Sequence, residues 1–461
     1  MNAKSIFLSA LLIATGCGQP DTESVPEPAP VPPSPASPES ADFGLSALDW
    51  AATGAVYAMT NQAGKNEIVV YKRGEDGKLT LSTTVPTGGG GSGEQLDPAD
   101  PLGSQGALLL HRRMRLVFAV NTESSSAHSE HDCKQGTISI FRLSADGHLT
   151  LIGAPVPSGG LFPNSLTAHG DRLYVLNAGG PDQCSGGSGF DVNPNITGFT
   201  ISTDGKLNRI PEGSQRINPG TGSGPDKCAP GNFGPLSDCG LSPPHAARSA
   251  AQVAFTPYGD ALVVEVKGTN SIYVFPVDWR NGTPGAPKIW RAPGPTLPTY
   301  FGEGFDRHGN LLVVEPLGTA TSIPAPDASA LSSFKIESDG TLRPISSDVP
   351  SGLTEACWFA MEPYTLRHVY VSNTHGDTIS IYDVDSDGKL TYLSGATQRL
   401  TSSALPTEIV AVAAGRSRYL YALLAGKGKV ATYRIQDDGT LSPLGEVEGL
   451  PASAVQGLAA F

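Results

Sequence analysis

The chain reads as an all-β protein, a seven-bladed β-propeller closed by its C-terminal strand joining the first blade. Three observations predict this: a repeated strand-and-turn unit, a composition suited to short strands, and a chain end that copies the start of the last repeat. The unit is clearest in Ile379 to Leu390, where alternating residues run into Asp387-Gly388-Lys389-Leu390, a strand entering a hairpin. It recurs at Tyr71…Asp76-Gly77-Lys78-Leu79, Phe141…Asp146-Gly147-His148-Leu149, Phe199…Asp204-Gly205-Lys206-Leu207, Phe334…Asp339-Gly340-Thr341-Leu342 and Tyr433…Asp438-Gly439-Thr440-Leu441. A degenerate copy from Phe275 to Asn281-Gly282 fills the one long gap. Copies spaced by roughly 50 to 75 residues allow four short strands each, which is what a propeller blade needs.

The composition agrees. With 461 residues, 55 Gly, 39 Pro and 16% charged residues, the chain has many turns and no long amphipathic helix. A net charge of −13 argues against nucleic acid as a partner, since binding its phosphates needs clustered Lys and Arg.

Within the last full repeat, successive strands read Glu408 to Ala413, Tyr419 to Leu424, Lys429 to Ile435, and a fourth after Leu441. Equivalent second strands are Val56–Met59, Val117–Val120, Leu173–Leu176, Leu262–Val264, Leu311–Val314 and Val369–Ser372, whose β-branched and aromatic content suits burial on both faces. The first repeat lacks its own first strand. The run from Leu450 to Ala460 resembles Leu405 to Ala414, so the C-terminal strand is expected to complete blade one and close the ring.

Residues 42–461 are therefore assigned to the propeller. Ahead of them, Lys4, the apolar run Ile6–Ala14 and Thr15-Gly16-Cys17 read as an export signal over 1–16, and the small residues before Cys17 resemble a bacterial lipobox. That resemblance implies lipidation of Cys17. The Pro-rich residues of 17–41 read as a stiff tether, placing the domain outside the cytoplasm on a membrane facing periplasm or cell surface, in contact with the membrane through the lipid only. In that oxidising compartment Cys228 and Cys239 form one candidate disulfide and Cys133 and Cys184, in equivalent loops, a second. Cys357 lies in an apolar run and reads as an inert thiol.

Turns between first and second strands and between third and fourth are short and share one face. Every long insertion falls on the other face, the expected binding face. Polar residues gather there near the channel mouth: Gln105, Asn164, His245, Arg248, Glu355 and Glu408 at first strands, and Asn61, Asn121, Asn177 and Asn373 at the ends of second strands, with Glu265 and Glu315 replacing Asn in two repeats. The recurrent Asn are read as turn-closing. A His, an Arg and carboxylates around one mouth suit activation of water and stabilisation of charge at a carbonyl. The run His128-Ser129-Glu130-His131-Asp132-Cys133 has no second ligand pair at defined spacing, so no metal site and no cofactor is assigned, and Gly88 to Gly91 opens no phosphate-binding helix.

On the repeated Tyr-x-x-Asn, Ile-x-x-Tyr/Phe and Asp-Gly-x-Leu pattern, Pro244-His245-Ala246 and Glu355-Ala356-Cys357-Trp358, the chain resembles the lactonase family of seven-bladed propellers. This group includes propeller-type 6-phosphogluconolactonases and carboxymuconate cyclases. The resemblance implies hydrolysis of an intramolecular, sugar-type ester by a monomer. It gives catalytic roles to His245 as base or orienting group, Arg248 as anion holder, and Glu355 or Glu408 as the group that polarises water. Gln105, Asn164, Glu265 and Glu315 are the candidate substrate-binding residues, for a small lactone or carbohydrate derivative. Export and the long Cys-bearing insertions depart from what a cytosolic sugar-phosphate enzyme requires. A non-catalytic, lipid-anchored propeller that binds a protein or glycan is the alternative.

Overall fold

The computed structural model describes residues 51–94, 98–122, 135–179, 191, 193–217, 249–321 and 325–461. Seven antiparallel sheets carry the strands. From the innermost strand outward, blade 1 is Leu458–Ala460, Gly54–Met59, Glu67–Arg73 and Leu79–Pro86. Blade 2 is Leu108–His111, Leu116–Asn121, Thr137–Leu143 and Leu149–Leu151, with Val156–Pro157 also on its third strand. Blade 3 is Pro163–His169, Arg172–Asn177, Asn195–Ile201 and Leu207–Arg216, and blade 4 is Ala250–Phe255, Ala261–Val266, Ser271–Pro276 and Lys288–Arg291. Blade 5 is Glu303–Phe305, Leu311–Glu315, Ala330–Ile336 and Leu342–Pro350. Blade 6 is Ala356–Met361, His368–Asn373, Thr378–Val384 and Leu390–Tyr392, with Gln398–Arg399 on its third strand. Blade 7 is Pro406–Ala414, Ser417–Leu424, Lys429–Ile435 and Leu441–Glu448.

The seven inner strands form a closed circle in which each meets its two neighbours, the C-terminal strand packing between those of blades 7 and 2. Closure is as the sequence predicts: Val56, Tyr57 and Ala58 pair with Ala460, Ala459 and Leu458. Phe461 is buried beyond them, exchanges backbone hydrogen bonds with Ala55 at 3.0 and 3.3 Å, and its carbonyl accepts Arg73 Nε at 3.0 Å. Second strands such as Leu116–Asn121 are buried throughout because sheets cover both of their faces, whereas the outermost strand Leu79–Pro86 is largely exposed.

The repeated motif has a physical reason. In the turn after Glu67–Arg73, Asp76 Oδ1 accepts the Lys78 N–H at 3.0 Å and Gly77 takes φ 83°. A Cβ on Gly77 would fall 2.2 Å from the Tyr419 ring of blade 7, so both the backbone and the seam require glycine. The glycine carbonyl then receives a hydroxyl from the preceding blade. Tyr57 donates to Gly147 at 2.7 Å, Tyr370 to Gly439 at 2.9 Å, Tyr421 to Gly77 at 3.0 Å, and Tyr174 to Gly282. In blade 5, Ser333 makes the same bond to Gly388 at 2.7 Å. Strand tyrosine and Asp-Gly turn recur together because they are two ends of one interblade bond.

Candidate active site in the central channel

The binding face gathers the starts of inner strands and the ends of second strands, as the Asn177–Pro163 pairing illustrates. His245 and Arg248 lie outside the described residues, as do Cys17, Cys133, Cys184, Cys228, Cys239 and the His128–Cys133 run. The six remaining candidates are placed as follows.

Gln105, Asn164 and Glu408 come together around a segment that the sequence does not mark. Residues Asp100–Gly106, leading into the inner strand of blade 2, lie inside the ring and bond to five other blades. The Leu102 N–H donates to Gln456 Oε1 beside blade 1 at 2.7 Å. The Leu102 carbonyl faces Asn164 Nδ2 of blade 3 at 3.4 Å, and Ser104 Oγ donates to the Asn164 carbonyl at 2.7 Å. Lys267, in the turn after the second strand of blade 4, donates to the Gly103 carbonyl. The Ser104 carbonyl accepts Trp358 Nε1 of blade 6 at 2.9 Å, and the Gln105 N–H donates to the Ala251 carbonyl of blade 4 at 3.0 Å. The Gln105 side-chain amide pairs with both main-chain groups of Phe359 at 2.9 Å, as a strand would. The Gly106 N–H donates to Glu408 Oε1 of blade 7 at 2.8 Å. The amides of Gln105 and Asn164 are thus engaged in holding this strut.

Glu408 is buried, its Oε2 takes no hydrogen bond, and burial pushes its pKa up to about 7. The N–H groups of Gly106, Gly457 and Leu458 work against that rise, and the Asp100 carboxylate on the strut adds to it. Across the strut, Lys267 is also buried, its amine 4.6 Å from the centre of the Phe301 ring. Burial lowers its pKa to about 8, while Asp100 and Cys357 favour its charged form. A carboxyl that titrates near neutrality can accept and return a proton at the pH of its surroundings.

Glu265 and Glu315 belong to other groups. Glu265 and Glu303 are buried at the seam of blades 4 and 5, where Gln252 bonds both main-chain groups of Glu303, at 2.9 and 3.3 Å. The two carboxyls face each other and take no hydrogen bond from a third residue. Burial, then mutual repulsion, raises Glu265 well above the ordinary range, and burial pushes Glu303 up to about 8. Glu315 is raised by burial and by Asp348 opposite. The Asn at equivalent positions are buried and hydrogen-bonded locally: Asn121 Nδ2 to Ser139 Oγ at 2.8 Å, Asn177 Nδ2 to Asn195 Oδ1 at 3.0 Å.

Glu355 stands at the rim, at φ 56°, where its carboxylate bonds His375 Nδ1; both side chains are exposed. His375 was not singled out in the sequence, although it lies two residues beyond Asn373 in a turn of the binding face. Among the described residues no group of three or more His, Cys, Asp and Glu is arranged to hold a metal ion, and no helix is long and apolar enough to cross a membrane.

These features define a seven-bladed propeller whose channel is crossed by a strut and carries a neutral-range carboxyl. The fold is shared with three solved structures: a proposed 6-phosphogluconolactonase from Bacteroides fragilis (TM-score 0.59, 16% identity, 91% of this chain and 100% of that one), a second from Bacteroides uniformis (0.58, 17%, 87% and 99%), and the periplasmic gluconolactonase PpgL of Pseudomonas aeruginosa (0.59, 16%, 88% and 98%). At such identities the likeness is one of fold. No protein-family model matches the chain, and no curated sequence matches it.

Proposed function

We propose that the protein is a lactonase-like hydrolase of the bacterial envelope that opens an intramolecular, sugar-type ester. The observation that carries this reading is Glu408, a buried carboxyl whose pKa is pushed up to about 7 and whose Oε2 has no hydrogen-bond partner, on the innermost strand of blade 7 in a fold shared with a gluconolactonase. As base, its carboxylate takes a proton from water as the water oxygen adds to the lactone carbonyl. The ring C–O bond then breaks and the proton passes to the departing alkoxide, leaving a hydroxy acid; one water is consumed and nothing is oxidised. The Glu355–His375 pair is a second base, placed at the rim. His245 and Arg248 are proposed to complete the site, as orienting base and anion holder, with Gln105 and Asn164 supporting it through the strut. The reaction as written uses no cofactor and no metal.

The signal-like residues 1–16, Cys17 and the periplasmic location named for PpgL support export, and we propose anchoring through lipid on Cys17. The test is a panel of unphosphorylated and phosphorylated lactones offered to the full chain, with and without chelator, alongside Glu408→Gln, His375→Asn and His245→Ala. Turnover lost in a folded Glu408→Gln variant supports the reading. A folded protein that opens no lactone overturns it in favour of a binding scaffold.

A further inference from the structure

We infer that Asp100–Gly106 is an internal strap that governs proton exchange at Glu408, with Lys267 and Gln105 as the positioning residues that hold it across the channel. The strap is fixed from opposite sides. Lys267 holds the Gly103 carbonyl from blade 4, and Gln105 is clamped to Phe359 of blade 6 by two bonds of 2.9 Å. Three residues beyond Gly103, the strap presents one N–H to Glu408, which commits Oε1 as acceptor and leaves Oε2 to carry the proton. The same strap brings the Asp100 charge toward both Lys267 and Glu408, and its Gly106 packs against the buried carboxyl.

Buried Lys267 has no role in the fold of blade 4 that an apolar residue would not fill better, since isolated burial of an ammonium is costly. Its contact with a strap carbonyl and with the Phe301 ring gives it one. The main chain of Gln105 adds a further bond, to Ala251, so the strap is anchored at successive residues and not at its ends alone. Among the described residues, the charged group that acts on Glu408 is Asp100, on the strap itself, and from the side of blade 1 the N–H groups of Gly457 and Leu458 oppose the rise.

The inference concerns a proton and holds whatever the ligand, so it is tested without one. Urea-unfolding free energies of the full chain are measured between pH 5 and 8.5 for the parent, Lys267→Met, Gln105→Ala and Asp100→Asn, each with and without Glu408→Gln. The slope of the Glu408→Gln difference against pH falls to zero through the folded-state pKa of Glu408, and the midpoint of that fall reports it. In the parent this midpoint is expected near 7. In Lys267→Met and Gln105→Ala it is expected to fall by on the order of one pH unit, because burial is the largest cause of the rise and a released strap admits water. A purely structural role lowers stability at every pH and leaves the midpoint in place. Midpoints unmoved in both folded variants would overturn the inference. Should those variants fail to fold, Asp100→Asn decides: a lower midpoint supports the strap's control of Glu408, and an unchanged one overturns it.

Discussion

Removing Leu458–Phe461 takes away the inner strand of blade 1 and with it the closure of the ring. All four residues are buried. Exposing the partners of Leu458 and Phe461 costs about 2–3 kcal/mol for each side chain. The deletion also removes the two Ala55–Phe461 backbone bonds, the Arg73 bond to Phe461 and the 3.0 Å bond from Arg112 to the Ala460 carbonyl, each worth about 1 kcal/mol. The sum, about 8–10 kcal/mol, is comparable to the whole stability of an ordinary domain. The truncated chain is therefore expected to lose its cooperative transition, as read by urea unfolding followed through tryptophan fluorescence and by calorimetry. The wider deletion of 452–461 does the same and also removes Gln456, which holds the strut through Leu102. A sharp melt at the parent temperature would refute the closed ring as the source of cooperativity.

Other substitutions probe single interactions. Glu408 has a folded pKa of about 7, above its ordinary 4.5, so the native state holds the proton more tightly than the unfolded chain. The group is neutral in its effect below pH 4.5 and destabilises increasingly as pH rises to 7, by up to about 3 kcal/mol. Glu408→Gln keeps an acceptor for Gly106 and is expected to match the parent near pH 4.5 and exceed it at pH 8, measured by urea midpoints; parallel curves would remove the case for a buried, neutral-range carboxyl. Glu303, pushed up to about 8 by burial beside Glu265, carries the same sign: the seam of blades 4 and 5 weakens as pH rises through 8. Glu303→Gln should flatten that alkaline loss in thermal melts. Tyr370→Phe leaves the Gly439 carbonyl without its hydroxyl donor, and an expected cost of about 1–2 kcal/mol is read from the shift in urea midpoint.

The sequence made the framework readable because its cues are local. Lys429 to Ile435 is a strand over those same residues, and the Asp-Gly turns carry their own reason in an aspartate that closes the turn and a glycine at positive φ. Closure was legible from the likeness between the chain end and Leu405–Ala414, although only Leu458–Ala460 are strand in the last stretch. The strut was not legible. Its partners, Gln456, Asn164, Lys267, Phe359 and Glu408, are scattered over some 300 residues and meet only once the ring exists. For the same reason Gln105 and Asn164 could be placed at the mouth from strand position, while the work of their amides on the strut could not. Lys267 left one mark, a lysine directly after the strand that carries Glu265; His375 and Asp100 left none that set them apart from surface residues.

The most direct test of the account is the pH profile of lactone ring opening by the full-length protein, compared with Glu408→Gln. Turnover is expected to rise through a pKa near 7 as Glu408 becomes a carboxylate, and to be lost in the folded variant. Ring opening that continues undiminished in Glu408→Gln, or no ring opening by a folded parent, would contradict it.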